Sequence, residues 1–92
     1  MLNFEWDPAK AASNHEKHGV SFEEAATAFG DPLSLTIYDP DHSAGEDRYV
    51  LLGLSENHRL LVISHAERDD RIRIISARAA DKSERRNYEI GG

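Results

Sequence analysis

The sequence has 92 residues, a formal net charge of -6 and no cysteine. A chain of this length allows one small core, so we expect a single domain over residues 1–92. The lack of cysteine excludes disulfides, thiolate metal sites and a cysteine nucleophile. The N-terminus has no basic stretch leading into an apolar one, and no window approaches about 18 consecutive apolar residues. We therefore expect a cytoplasmic protein without a membrane partner.

The N-terminal third is predicted to form two short helices. Asp7 followed by a proline is typical of a helix cap and first turn, which predicts a helix over residues 8–18. Ser21 and Glu24 have the spacing of a capping box, which begins a second helix that a glycine ends. Residues 4–6 are also compatible with a short edge strand.

The middle of the chain is predicted to form strands. Residues 33–38 have strand composition, and residues 39–47 are polar and typical of a loop. The runs at 48–54, 59–65 and 71–77 are rich in β-formers and are separated by short polar segments, which favours antiparallel hairpins.

Asp81 and Glu84 repeat the capping-box spacing and predict a final helix through about residue 89. The predicted fold class is therefore α+β, with two N-terminal helices packed on a four-stranded antiparallel sheet and followed by a C-terminal helix. The basic side chains of this last helix, which can follow a phosphate backbone or simply face solvent, are Lys82, Arg85 and Arg86.

Charge is distributed unevenly along the chain. Residues 1–47 contain ten acidic and two basic side chains, whereas residues 48–92 contain seven acidic and nine basic ones. Affinity for nucleic acid comes from Lys and Arg side chains that displace counterions from phosphates. Any binding of nucleic acid must therefore be local to the second half, while the acidic first half is suited to a basic partner.

The strand at residues 71–77 alternates arginine with isoleucine. Arg71 and Arg73 should lie on one face of the sheet, with the isoleucines packed on the other. Strict alternation would place Arg78 on the isoleucine face unless the backbone turns there to enter the helix, and we expect that turn.

A hairpin should bring His65, Glu67 and Arg68 beside Arg71 and Arg73. Such a group has what RNA cleavage without a metal ion requires. The ribose 2′-hydroxyl must lose a proton, the phosphorane charge must be neutralised, and the 5′-oxygen must gain a proton. The same side chains also fit ordinary turn and strand roles, and spacing alone leaves both interpretations open.

Other histidines are weaker candidates. His15 and His18 have a spacing that permits metal binding, but a helix C-terminus also favours cationic side chains. His42 lies in an acidic loop, which is usually a solvated surface. The sequence also has no glycine-rich phosphate loop, no zinc-protease pair and no nucleophile elbow, and we expect neither a metal nor another cofactor.

Three segments of the chain closely resemble the BrnT family of type II toxins, and they lie at residues 4–29, 39–53 and 59–89. The motifs shared with the family are a Lys-His-Gly-Val turn at 17–20, a Glu-Arg pair at 67–68, an arginine-isoleucine strand ending in Ser-Ala-Arg at 73–78, and Glu-Arg-Arg at 84–86. Three positions depart from the family pattern in ways that predict weaker RNA binding, namely Ala66, Asp69 and Ala79.

This resemblance implies a toxin domain with a RelE-like fold, which cleaves RNA and arrests growth. It also implies a neighbouring BrnA-like antitoxin that occludes the toxin and contacts DNA, so that the toxin meets DNA only indirectly. The catalytic residues carried over from the family pattern are His65, Glu67, Arg68, Arg73 and Arg78, with Lys82, Arg85 and Arg86 as RNA-binding candidates. Which of the imidazole and the carboxylate is acid or base stays open. The alternative is a non-catalytic interaction module that binds an acidic partner through its basic sheet face.

Overall fold

The structure, a computed structural model, describes residues 2–91. Within that range the elements in chain order are β1 (Asn3–Glu5), α1 (Pro8–His18), α2 (Phe22–Ala28), β2 (Leu35–Tyr38), β3 (Arg48–Leu54), β4 (Leu60–Arg68), β5 (Arg71–Ala79) and α3 (Lys82–Ile90). A single 3₁₀ turn, Pro40–His42, lies in the loop between β2 and β3. None of the helices of this range is long and apolar enough to cross a membrane.

The strands form one mixed sheet in the order β1-β5-β4-β3-β2. From β2 to β5 the chain forms the predicted antiparallel meander, but β1 adds a fifth strand that runs parallel to β5, with Phe4 opposite Ile72. The prediction of a four-stranded, purely antiparallel sheet is therefore wrong by one strand. A strand of three residues is too short to produce a periodic signal, so its pairing depends on the tertiary fold.

Local side-chain bonds explain where α1 and α3 begin. The Asp7 carboxylate accepts the N–H of Ala9 at 2.9 Å, and α1 ends at Gly19 in the left-handed conformation, as predicted. At α3, Asp81 accepts the N–H of Glu84 at 2.8 Å while the Glu84 carboxylate accepts the N–H of Asp81 at 2.9 Å. Both halves of that predicted capping box are therefore present.

At α2 only half of the predicted capping box forms. Ser21 Oγ accepts the N–H of Glu24 at 3.0 Å, but the Glu24 carboxylate binds Arg59 Nε at 2.9 Å and Ser55 Oγ at 2.7 Å instead of returning to the cap. Arg59 Nη2 also donates to the carbonyl of Gly19 at 3.0 Å. The Arg59 hydrogen bond lowers the pKa of Glu24 from 4.5 to about 2. This clamp ties the start of α2 to the β3–β4 hairpin.

One face of the sheet, called the core face below, packs against α1 and α2. Trp6 lies edge-on to Phe22 at 5.9 Å between ring centroids, and Phe4 to Phe29 at 5.1 Å, so both N-terminal aromatic rings pack against α2 and its C-terminal cap. The buried residues of this core are Val20, Phe22, Ala25, Ala28, Leu51, Leu61, Ile63, Ile74 and Ala77.

The opposite face, called the arginine face below, carries Arg48, Arg73 and Arg78 on β3 and β5. Helix α3 contacts β3, and its last turn is fixed by Tyr88, whose hydroxyl donates to Asp31 Oδ2 at 2.5 Å. That hydrogen bond raises the pKa of Tyr88 to about 12. The helix therefore stands at one end of the face that carries the arginines.

A β-bulge in β5 places Arg78 on the arginine face. Ser64 of β4 pairs with Ser76, and the next residue, His65, pairs with Ile74. Ile75 is therefore an extra residue with no partner in the ladder. The extra residue restores Ala77 to the core and turns Arg78 to the opposite side. The predicted change of face is present, but it arises in the middle of the strand rather than at its end.

Candidate functional site

Three arginines gather around one carboxylate on the arginine face, and we call this group the arginine cluster. Arg48 Nη2 lies 3.4 Å from Glu46 Oε1, Arg68 Nη2 lies 4.0 Å from Glu46 Oε2, and Arg73 Nη2 donates to Glu46 Oε1. Arg48 and Arg73 flank Ala66 in the sheet, so only a methyl group stands between them. The small side chain leaves room for the guanidinium groups to converge.

The arginine cluster has the electrostatic character of an anion site. Its three guanidinium groups and one carboxylate leave a formal charge of +2. Within residues 2–91, the Nε atoms of Arg48 and Arg73 are buried and have no hydrogen-bond partner. Buried donors are normally satisfied, and the guanidinium fork matches both carboxylate and phosphate oxygens. The cluster therefore retains excess positive charge and N–H donors that its one carboxylate does not satisfy.

His65 lies on the other side of the sheet. Its side chain is 1% exposed and packs between Phe29 and Tyr49, with ring centroids 4.9 and 5.9 Å away. Burial lowers the pKa of His65 below 6.5. Glu67 lies on the same side, with Oε2 3.8 Å from His65 Nε2. The predicted convergence of this pair with the arginines is wrong, because residues 65 and 67 alternate in direction with residues 66 and 68 along β4.

Arg78 is also separate from the arginine cluster. Its guanidinium group forms two hydrogen bonds of 2.8 Å with Glu84 at the start of α3, which raise its pKa. Arg73 pairs with Ala66 and Arg78 with Val62, and these positions on β4 are about 13 Å apart at about 3.3 Å per residue. The other basic residues predicted to bind RNA are exposed on α3, and they are Lys82, Arg85 and Arg86.

A small cavity adjoins the arginine cluster at the loop between β2 and β3. His42 Nδ1 lies 2.9 Å from Asp39 Oδ2, and the cavity of about 240 Å³ also contacts Arg48. Ser64 and Ser76, which pair across β4 and β5, form its floor. The sequence predicts a solvated loop at His42, and the structure adds its contacts with Asp39 and the cavity. The spacing of Asp39 and His42 just before a strand that begins with arginine was the available signal.

Glu46 was not predicted either. It is the penultimate residue before β3 and lies 27 positions before Arg73, so its contact depends on how the loop closes onto the sheet. A periodic sequence pattern cannot predict this contact, because the second half of the loop has no helix or strand. The sequence therefore predicts Arg68 and Arg73 as site residues, but neither Arg48 nor the carboxylate that contacts all three.

Comparisons with known proteins agree with this architecture. A family profile described as the ribonuclease toxin BrnT of type II toxin-antitoxin systems matches residues 6–84. The fold is similar to the 1.1 Å crystal structure of the Brucella abortus ribonuclease toxin BrnT, with a TM-score of 0.64 and 18% identity. That match covers 89% of this chain and 100% of the Brucella chain, and at this identity it concerns the fold. No curated protein sequence matches the chain.

Proposed function

The chain belongs to the BrnT family of ribonuclease toxins of type II toxin-antitoxin systems, and from this premise we propose that it cleaves RNA at the arginine cluster without a metal ion. Its family implies an RNA target and an antitoxin partner. We propose that this partner is a BrnA-like protein, which covers the toxin and alone contacts DNA. We also infer that the fold is related to that of RelE-type toxins, since helices flank both faces of its antiparallel meander.

The observation that carries the proposal is the position of the Glu46 carboxylate among three guanidinium groups. A phosphodiester presents two anionic oxygens to the same donors. Arg48, Arg68 and Arg73 would hold the scissile phosphate and neutralise the additional charge that develops on the phosphorane. The three arginines then supply the positive charge that other nucleases take from metal ions.

The basic residues outside the arginine cluster fit a binding role. Arg78 and the start of α3 lie on the same face of the sheet, at the end away from Arg68 and Arg71. A single strand that enters at the arginine cluster can continue along this face toward α3. The side chains proposed to contact its flanking phosphates are Arg78, Lys82, Arg85 and Arg86.

The experiment is cleavage of a defined RNA by the purified protein in the presence of EDTA. We expect products that end in a 2′,3′-cyclic phosphate and a 5′-hydroxyl. Arg73→Ala should lower the rate by at least about 100-fold, since loss of one charge-stabilising donor costs that much in other active sites. Lys17→Ala, an exposed cation on α1, is the matched control and should retain the wild-type rate.

The same experiment separates this proposal from a non-catalytic role. Activity that vanishes with EDTA and returns with magnesium would contradict the metal-independent mechanism. Tight binding of an acidic protein segment to the arginine face, with no cleavage at any protein concentration, would instead support an interaction module. Binding of an antitoxin should inhibit cleavage, and a BrnA-like antitoxin encoded next to this chain is the expected inhibitor.

A further inference from the structure

We propose that His42, oriented by Asp39, is the general base that takes the proton from the ribose 2′-hydroxyl. The inference rests on the proposed ribonuclease function and names a catalytic residue that the family-derived site does not contain. It also supplies a general base, which the arginine cluster lacks because the sheet separates it from His65 and Glu67.

The hydrogen bond between His42 and Asp39 sets the chemistry of the imidazole. A carboxylate 2.9 Å from Nδ1 accepts the proton of that nitrogen, which leaves Nε2 as the acceptor in the neutral ring. The His42 side chain is 67% exposed, so a substrate can reach Nε2. Among the residues that contact the cavity, His42 is the imidazole, the side chain that most often acts in general acid–base catalysis.

The loop holds the imidazole beside Arg48 through a chain of hydrogen bonds. The N–H of Asp39 donates to the carbonyl of Arg48 at 2.9 Å. Ser43 Oγ donates to the Asp39 carbonyl at 2.5 Å and accepts the N–H of Arg48 at 3.0 Å. These bonds join the two ends of the loop around His42. The dyad is therefore fixed relative to an arginine of the cluster rather than free at a loop tip.

The shared cavity gives the base access to the reacting atoms. It is lined by Asp39, His42 and Arg48 on one side and by Ser64 and Ser76 on the other. A phosphate bound by Arg48 would bring the adjacent ribose into this space. Glu46, the carboxylate inside the arginine cluster, already binds Arg73, so its role is to position the arginines.

The proposed reaction conserves its protons and needs no reactant other than water. His42 Nε2 takes the proton of O2′, O2′ forms a bond to phosphorus, and the bond between phosphorus and O5′ breaks. The departing O5′ takes a proton from water, and the imidazolium returns its proton to the resulting hydroxide. The products are a 2′,3′-cyclic phosphate and a 5′-hydroxyl.

The test is chemical rescue of His42→Ala. We expect its cleavage rate to fall by about 100-fold to 10,000-fold, the usual contribution of a general base. Its affinity for an uncleavable RNA with a 2′-deoxyribose at the scissile position should stay close to that of the wild type. Added imidazole should restore a substantial part of the rate in His42→Ala and none of it in Arg48→Ala. His15→Gln, an exposed histidine on α1, is the matched control.

Asp39 is a positioning residue and has its own readout. Asp39→Asn should lower kcat with little change in KM, because the tautomer and orientation of the imidazole change while the phosphate contacts stay. Circular dichroism and thermal unfolding check that both variants fold. A loss of kcat in folded Asp39→Asn supports the dyad, and an unchanged kcat overturns this part of it.

The outcomes distinguish the two proposals. If the wild type cleaves RNA and His42→Ala cleaves at a similar rate, His42 is not the base while the ribonuclease proposal stands. If His42→Ala loses cleavage together with RNA affinity and imidazole restores neither, His42 serves binding and its role as base is overturned. If the wild type does not cleave RNA, the ribonuclease proposal fails, and the proposal for His42 fails with it.

Discussion

The Glu46 carboxylate occupies the position among the arginines that the proposed function assigns to the scissile phosphate. It contacts guanidinium groups from three positions on β3, β4 and β5, so it reduces the repulsion among like charges held close together. A substrate phosphate has to share these donors with Glu46 or replace it. The residue therefore links the stability of the apoprotein to its affinity for anions.

This link gives a prediction for Glu46→Ala. We expect the variant to lose about 1 to 2 kcal/mol of unfolding free energy in chloride buffer, because three cations lose their common acceptor. Inorganic phosphate should raise the Tm of the variant more than that of the wild type, since it binds the folded state at the vacated position. Thermal unfolding in both buffers measures the effect, with Glu16→Ala on α1 as control. Equal Tm increases in both proteins would show that phosphate does not bind at the position vacated by Glu46, and the arginine cluster would not be an anion site.

His65 gives a second prediction at the residue scale. Burial lowers its pKa in the folded state below the ordinary 6.5, so the unfolded chain binds the proton more readily. Stability should be unaffected above pH 6.5 and fall below it, by at most about 1.4 kcal/mol per pH unit. In His65→Phe, which keeps a ring against Phe29 and Tyr49, this decrease should disappear. Urea unfolding at pH 7.5 and 5.5 tests it, and an identical decrease in both proteins would contradict the assignment.

At the scale of elements, the Glu24 clamp joins parts of the chain that are distant in sequence. Glu24→Gln keeps the shape of the side chain and removes the charge that Arg59 binds. We expect a loss of about 2 kcal/mol, typical of a charge-assisted hydrogen bond. Because folding lowers the pKa of Glu24 from 4.5 to about 2, its contribution is present above pH 4.5 and is lost as pH falls toward 2. Urea unfolding at pH 7 and pH 3 should give a smaller difference between variant and wild type at the lower pH, and a constant difference would contradict this explanation.

The contact between β3 and α2 gives a prediction with an internal control. A Cβ on Gly53 would lie 2.9 Å from the carbonyl oxygen of Ala28 and 2.9 Å from a methyl of Leu51, whereas one on Gly30 would meet its nearest atom at 3.4 Å. Gly53→Ala should therefore destabilise the protein by about 1 to 3 kcal/mol, as overpacking does. Gly30→Ala should have a much smaller effect in the same thermal unfolding experiment, and equal effects would show that the packing at Gly53 relaxes.

The elements differ in how far the sequence predicts them, and the reasons are physical. Helices α1 and α3 begin and end at residues whose own side chains or backbone form the caps, such as Asp7 and Gly19, so short segments contain the information. Strand β1 and the bulge at Ile75 depend on a partner strand. One extra residue reverses the direction of every side chain that follows it. The alternating arginines predicted one charged face correctly, but not the bulge that places Arg78 on it.

At the scale of the whole molecule, the candidate site depends on which side of the sheet each residue faces. The sequence places His65, Arg68 and Arg73 near one another, and their backbones are indeed close in β4 and β5. The sheet nevertheless sends the imidazole into the core and the guanidinium groups to the opposite face. Burial of the histidine could not be predicted because β4 is apolar on both sides over its first four residues, which hides the alternation.

The net charge of the molecule makes the salt dependence of RNA binding a sensitive test of the proposed interface. For single-stranded RNA, the slope of log K against log salt concentration becomes more negative by about 0.7 for each phosphate contact. Seven contacts, from the arginine cluster together with Arg78, Lys82, Arg85 and Arg86, would give a slope of about -5. Arg73→Ala and Arg86→Ala should each bring the slope about 0.7 closer to zero, while Lys17→Ala leaves it unchanged.

Fluorescence anisotropy with an uncleavable oligonucleotide at several salt concentrations measures these slopes. In a chain with a net charge of -6, only a local basic surface can produce a steep slope, because the molecule as a whole repels RNA. A slope that Arg73→Ala changes and Arg86→Ala does not would confine the interface to the arginine cluster. A slope near zero would mean that phosphates are not the ligand, and the convergent guanidinium groups would then be free to bind the carboxylates of a protein partner.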